Sequence, residues 1–114
     1  MNKTAPLLPS LKEKRRYLVY EAHSEGTFSF NDVKEAILQE AATFLGTLGL
    51  AKAGLILLDD WNNNKGIIRV ATASLDNVKA ALFLIRNINK KEAFISTIGV
   101  SGTLYRARNK FIAP

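Results

Sequence analysis

The chain has no cysteine. That absence removes disulfides, cysteine-ligated zinc and thiol catalysis together, and it is compatible with a reducing, cytoplasmic setting. There is a single histidine, His23. A lone histidine at a strand end reads as a structural or solvated residue rather than a ligand or base, and no serine has a convincing histidine and acid to work with. No apolar run approaches the ~20 residues that a membrane span needs. Lys3 is followed by Pro6, Pro9 and a basic cluster, which is not a signal peptide. Internal repeats and low-complexity tracts are missing, and so is a Walker loop. Gly99-Val100-Ser101-Gly102 has two glycines but lacks the strand, glycine loop and helix order of a nucleotide site. Asp59 and Asp60 are consecutive on a predicted strand, so they point to opposite faces and do not converge on a magnesium ion. No catalytic apparatus is visible.

What the chain does have is charge, and the charge is segregated. The formal net charge is +6 over 114 residues. Residues 1–16 hold Lys3, Lys12, Lys14, Arg15 and Arg16 against Glu13 alone. Residues 17–64 reverse the balance, with Lys34 and Lys52 against Glu21, Glu25, Asp32, Glu35, Glu40, Asp59 and Asp60. Residues 65–114 are basic again, with only Asp76 and Glu92 to offset their lysines and arginines. Basic ends around an acidic middle make an oriented field suited to a polyanion such as RNA; a solvated surface of high pI is the plainer alternative.

The length fits one domain, 1–114, able to bury its own core. Residues 1–14 carry two prolines and read as an extended basic arm. Tyr17–Ala22 is the first predicted strand. Ser29 is a predicted N-cap, with Phe28 and Val33 placed as a hydrophobic staple. Val33, Ile37, Ala41, Phe44 and Leu48 form one apolar stripe, so a helix is predicted to run to Gly46 or Gly49. Ala53–Trp61 is the second strand, Asn62–Gly66 a hairpin connection, and Ile67–Ala73 the third strand. Ser74 is predicted to cap a second helix with Val78, Ala81, Leu82, Ile85 and Ile88 inward and Phe83 on the opposite face. Ala93–Val100 is the fourth strand, and a basic tail, 103–114, is predicted to form a short helix through Phe111.

Strand, helix, strand, strand, helix, strand is the α+β, ferredoxin-like βαββαβ sandwich: a four-stranded antiparallel sheet with helices packed on it. The first and third strands lie at its centre and the second at an edge. That second strand is apolar on both faces, so the terminal segments or a partner must cover it. The fold hosts RNA binders, metabolite sensors and a few small enzymes. Acylphosphatase shares the topology, but its glycine loop followed by Phe-Arg is absent here. The usual RNA-reading version stacks bases on aromatics of the central strands. Here Gly66-Ile67-Ile68-Arg69-Val70 places isoleucines where those rings would sit, so RNA contact is expected through phosphates from arms and loops.

Four blocks, in order, carry a resemblance: Leu8-Pro9-Ser10-Leu11-Lys12-Glu13-Lys14-Arg15-Arg16-Tyr17, Gly66-Ile67-Ile68-Arg69-Val70, Val78-Lys79-Ala80-Ala81-Leu82-Phe83-Leu84-Ile85 and Gly99-Val100-Ser101-Gly102-Thr103. Spanning about Leu8 to Phe111, the ordered set resembles archaeal ribonuclease P protein component 2, related to a eukaryotic subunit of RNase P and RNase MRP. The resemblance implies an α/β sandwich in a ribonucleoprotein that removes the 5′ leader from precursor tRNA. It implies that the RNase P RNA carries the active site and its Mg2+, with no cofactor on the chain. It also implies a TIM-barrel-like protein partner in a dimer of heterodimers, with precursor tRNA bound in the complex. Two departures stand out. Val70-Ala71-Thr72-Ala73 is neutral where the family is often basic or polar, and the chain stops at Pro114, short of any longer C-terminal partner contact.

The candidate RNA-binding residues are Lys12, Lys14, Arg15 and Arg16, then Arg69 on a central strand, then Arg106, Arg108 and Lys110. Arg106 and Lys110 share a helix face. Arg69 becomes structural if it is buried and paired with Glu21 or an aspartate. Gly99 and Gly102 read as backbone devices that let the chain leave the sheet and turn back. Leu55, Leu57 and Phe83 are candidates for a protein interface. The alternative functions are a small-ligand regulatory module and a protein-interaction scaffold.

Overall fold

The computed structural model describes residues 14–113. Along the chain run β1 (Arg15–His23), α1 (Phe30–Ala53), β2 (Ile56–Asn62), β3 (Lys65–Ala71), α2 (Leu75–Phe83), a small ribbon of β4 (Asn87–Ile88) and β5 (Lys91–Glu92), β6 (Phe94–Ser101) and α3 (Leu104–Ala107), which continues as a wide π-type turn, Arg108–Ile112. The four long strands form one antiparallel sheet in the order β2-β3-β1-β6. This is the ferredoxin-like arrangement read from the sequence, with β1 and β3 central.

Local chemistry accounts for most boundaries. Ser29 caps α1 by accepting from the Asp32 amide at 3.2 Å. Phe28 and Val33 are both buried in the core beneath it, as a staple requires. The β2–β3 hairpin turns on Asn63 and Asn64, both at positive φ. Asn64 also ties the hairpin to the start of α1, its side-chain oxygen accepting from the Phe28 amide at 3.2 Å.

Other expectations are corrected. Gly46 interrupts α1 rather than ending it: φ 74° and ψ 174° kink the helix, which resumes and runs to Ala53, with Gly54 as its left-handed cap. The inward stripe therefore stops at Ala41, and beyond it Phe44 and Leu48 are exposed. Ala53 is the buried last residue of the helix, so β2 starts three residues later than predicted. Ser74 makes no side-chain cap; a 3-10 turn over Thr72–Ser74 leads into α2 instead. α2 ends at Phe83, before Ile85 and Ile88, yet both remain buried in the core, Ile88 within the ribbon.

The sheet has two covered faces. Under α1 and α2 lie Leu18, Tyr20, Ile68, Val70 and Ile95, with Val33, Ile37, Val78 and Leu82 from the helices. On the other face a smaller core joins Val19 and Ile67 to Ala107, with Leu58, Ile98, Leu104 and Phe111 around it. The tail is thus a third layer docked on the sheet.

Tyr20 marks the tightest part of the main core. Its ring lies against Gly66, where an added methyl would overlap it. Its hydroxyl is buried without a hydrogen-bond partner among the described residues. An unpaired buried hydroxyl is costly, so Tyr20→Phe is expected to keep the fold and raise stability by about 1 kcal/mol. Burial also pushes the Tyr20 phenol above its ordinary value of 10.0. The folded protein then holds this proton more tightly than the unfolded chain. That stability is complete below the unfolded value and is lost as pH rises above it. Urea unfolding at neutral pH and at about pH 11 checks both points, because the Phe variant lacks this source of alkaline sensitivity.

Candidate nucleic-acid interface

The candidate cations sort by strand parity, since alternate residues of a strand face opposite sides. On β1, Arg15, Tyr17 and Val19 face the side covered by α3. Arg16 faces the helix side opposite Val70, half-buried, with its guanidinium donating to the Arg15 carbonyl at 3.1 Å. On β3, Ile67 and Arg69 share the α3 side. Ser101, Tyr17, Arg69 and Ile56 are register partners, making one row across all four strands. Arg15 lies one step beyond this row, a diagonal neighbour of Arg69 at a spacing of about 7–8 Å.

α3 crosses this face on a diagonal. Thr103, just past Ser101, caps it by accepting from the Arg106 amide at 3.2 Å. The far end is fixed at β2, where the Asn62 amide donates to the Ile112 carbonyl at 3.0 Å. Arg108 grips Asp60 with two bonds, Nε to Oδ2 at 2.6 Å and Nη2 to Oδ1 at 3.3 Å. That forked pairing holds the Arg108 guanidinium even more firmly protonated than usual, chiefly through the hydrogen bond to Asp60. Gly99 permits the dock. Phe111 lies flat over it, and a side chain there would collide with the ring. Beside Gly99 the register shifts between Val19 and Tyr20, so Ile98 is the extra residue of a bulge.

The diagonal leaves one corner of the sheet open, and that corner is basic. It carries Arg15 and half-buried Arg69, with Tyr17 between them and exposed Ile56 at the edge. Arg106 and Lys110 stand exposed on the helical tail that covers the same side of the sheet. Among the described residues neither Arg15, Arg69, Arg106 nor Lys110 has a carboxylate within ion-pair distance. Rigid arginines on strands are preorganised for phosphate oxygens. Among the described strand and tail residues of this face, Arg15, Lys65, Arg69, Arg106, Arg108 and Lys110 stand with the two carboxylates Glu21 and Asp60. The two main helices present Lys34, Lys52 and Lys79 against Asp32, Glu35, Glu40 and Asp76. The two helices are therefore close to neutral, while the opposite face of the sheet is basic.

The remaining candidates separate clearly. Lys14 is exposed at the start of β1, its carbonyl accepting from the Thr72 amide at 2.8 Å. Lys12, most of the predicted arm and Pro114 lie outside the described residues. Arg108 is committed to Asp60 and anchors the tail. Leu57 is buried in the main core with Leu55 packed against it, because odd-numbered residues at this end of β2 face the helices; the premise that they lack internal partners is corrected. Phe83 is 72% exposed, as its position opposite the core stripe predicted. Gly99 serves close approach rather than special backbone angles. His23 stacks on Phe94 at 4.5 Å and shares a hydrogen bond of 2.8 Å with Ser96. Asp59 is exposed, and among the described residues no three His, Asp or Glu gather as a metal site. No helix among them is long and apolar enough to cross a membrane.

Sequence reasoning missed Tyr17, Asp60 and Phe111 as parts of this site. Only Phe111 had a visible signal, a large apolar residue twelve positions beyond a strand glycine.

Residues 16–112 match the Rpp14/Pop5 family. The chain is 38% identical to ribonuclease P protein component 2 of Pyrococcus horikoshii, over 99% of this chain and 95% of that one. It is 36% identical to the protein of the same name from Methanosarcina mazei, over 93% and 90%. A chain in the cryo-EM structure of yeast ribonuclease MRP shares the fold, with a TM-score of 0.53 at 15% identity over 82% of this chain and 77% of that chain.

Proposed function

The chain belongs to the Rpp14/Pop5 family, and from that membership we propose that it is a protein subunit of ribonuclease P, the ribonucleoprotein that removes the 5′ leader from precursor tRNA. The observation that carries this reading is the near full-length similarity to ribonuclease P protein component 2, and the basic sheet corner gives it a physical basis. Arg15, Arg69, Arg106 and Lys110 would bind phosphates of the RNase P RNA and screen the repulsion that opposes its compact form. Bases would not stack on the central strands, because α3 covers Val19 and Ile67 there.

The chain would contribute no catalytic group. Asp60, a half-buried acid on the basic face, is held by Arg108, and magnesium would be bound by the RNA. The helix layer, with exposed Phe44 and Leu48 on α1, is the side suited to the TIM-barrel-like protein partner, in a dimer of heterodimers. The complex would work in the cytoplasm.

A drop-out reconstitution tests the proposal. RNase P RNA and the other protein subunits are assembled at limiting magnesium, and 5′ cleavage of precursor tRNA is timed with and without this chain. Omission is expected to slow cleavage at least tenfold, reversed on adding the protein back, a barrier change of about 1.4 kcal/mol. Equal rates at every magnesium and salt concentration would remove the chain from the enzyme.

A further inference from the structure

The outer edge of β6 differs from every other strand boundary in the sheet. Its eight residues, Phe94 to Ser101, contain no charge and no proline. Among the described residues β6 pairs only with β1, which leaves a row of main-chain amides and carbonyls facing outward. The opposite edge, β2, carries Asp59 and Asp60 and is flanked by the Arg108–Ile112 turn. Proteins normally blunt such an edge with charge, proline, a bulge or a covering segment; among the described residues β6 has only the bulge at Ile98, beyond the Phe94–Thr97 stretch that lines the groove.

A groove runs along this edge. Phe94 and Ser96 line it from one face of β6, and Ile95 and Thr97 from the other. A depression lined from both faces follows the edge itself, where an added strand would lie. Its far wall is the exposed side of α2, with Phe83 beneath the Arg86 guanidinium at 5.7 Å and Lys79 one turn earlier. Lys91 adds a third cation to the lining, which Glu25 and Glu92 offset in part, so the cations that stand on the α2 wall itself are Lys79 and Arg86. Phe94 and Phe83 remain 54% and 72% exposed.

We propose that this edge receives an extended peptide segment of a partner protein by strand addition, with acidic side chains directed at Lys79 and Arg86 and apolar ones at Phe83 and Phe94. Main-chain bonds to β6 supply the affinity, and alternate side chains supply the choice of partner. The uncharged edge favours a polypeptide over RNA, since a ladder of outward amides and carbonyls matches another strand and not a phosphate backbone. The groove sits at the His23 end of β1 and the basic corner at the Arg15 end, about 25 Å away along a nine-residue strand. Both can be occupied at once, so the inference stands or falls apart from the ribonucleoprotein reading.

The test uses the full-length, nitrogen-15-labelled protein and a synthetic ten-residue peptide alternating glutamate and valine. Amide shifts are expected at Phe94 to Val100 and at Lys79, Phe83 and Arg86, with slowed hydrogen exchange at the outward amides of β6. The same peptide N-methylated at alternate residues is expected not to bind. Lys79→Glu with Arg86→Glu is expected to weaken the glutamate peptide about tenfold and to favour a lysine-valine peptide instead. Absence of β6 shifts overturns the proposal, as does equal binding of the methylated peptide. Displacement of the peptide by a ten-nucleotide oligouridylate acting on the same amides would assign the groove to single-stranded RNA and equally overturn it. Cleavage in the drop-out assay fails or succeeds independently of these results.

Discussion

Replacing Gly99 with valine is expected to detach the C-terminal layer from the sheet. Phe111 occupies the space above Gly99, and even a methyl group there overlaps its ring. Phe111 cannot yield easily, because the turn that carries it is pinned on both sides, by Arg108 to Asp60 and by Asn62 to the Ile112 carbonyl. The strain must therefore lift the whole segment, exposing Val19 and Ile67, which are fully buried beneath it. Overpacking of this kind costs about 1–3 kcal/mol, and loss of the small second core adds to it. Limited proteolysis is expected to cut after Arg106 or Arg108 in the variant, while the native protein resists there. Adding Phe111→Ala relieves the overlap, so the double variant is expected to be more stable than the two single effects summed. If Gly99→Val unfolds no more readily than the native protein in urea, the close approach is not a constraint. RNA binding is expected to fall with the tail, because Arg106 and Lys110 lose their fixed position on the α3 side of the sheet.

Removing Arg15, Arg69, Arg106 and Lys110 together, each to alanine, is expected to give the largest change in RNA affinity. All four stand without a carboxylate partner among the described residues and share the α3 side of the sheet. Each cation seated on a phosphate adds about 0.7–0.9 to the slope of log affinity against log salt. Without these four cations the slope should flatten by about 3, and binding at 0.1 M salt should weaken by roughly 10³-fold. Filter binding of RNase P RNA across a salt series measures both. Arg108→Ala is the informative contrast, because its charge is already matched by Asp60; it should act mainly through loosening of the tail. Lys34 and Lys52, on the helix layer, serve as the control pair. A slope unchanged by the quadruple variant, with the fold intact by circular dichroism, would show that the corner is a solvated face.

Much of the fold is legible along the chain because the deciding signals are local. Ser29 and the apolar steps from Val33 to Ala41 announce α1, the Asn-Asn turn announces the hairpin, and alternation places Phe83 outside. Local signals fail where two remote pieces decide together. Gly46 looks like a helix end, but the helix resumes because Ala53 has a buried place waiting for it beside the sheet. Leu55 and Leu57 look surplus because both faces of β2 are apolar. Only the third layer shows that one face belongs to the helices and the other to the tail.

By itself the sequence determined the order and type of the four long strands and the two main helices, the absence of cysteine chemistry, the family resemblance and the excess of positive charge at both ends, but not the β4–β5 ribbon. Those follow from composition, short-range periodicity and ordered blocks of residues. The tertiary structure decided which charges can act together. Arg15 and Arg69 become diagonal neighbours through a strand register, Arg108 is withdrawn by an aspartate 48 positions away, and Gly99 matters because Phe111 folds back onto it. Pairing across such distances depends on closing long loops around a shared core, and no local pattern along the chain encodes it.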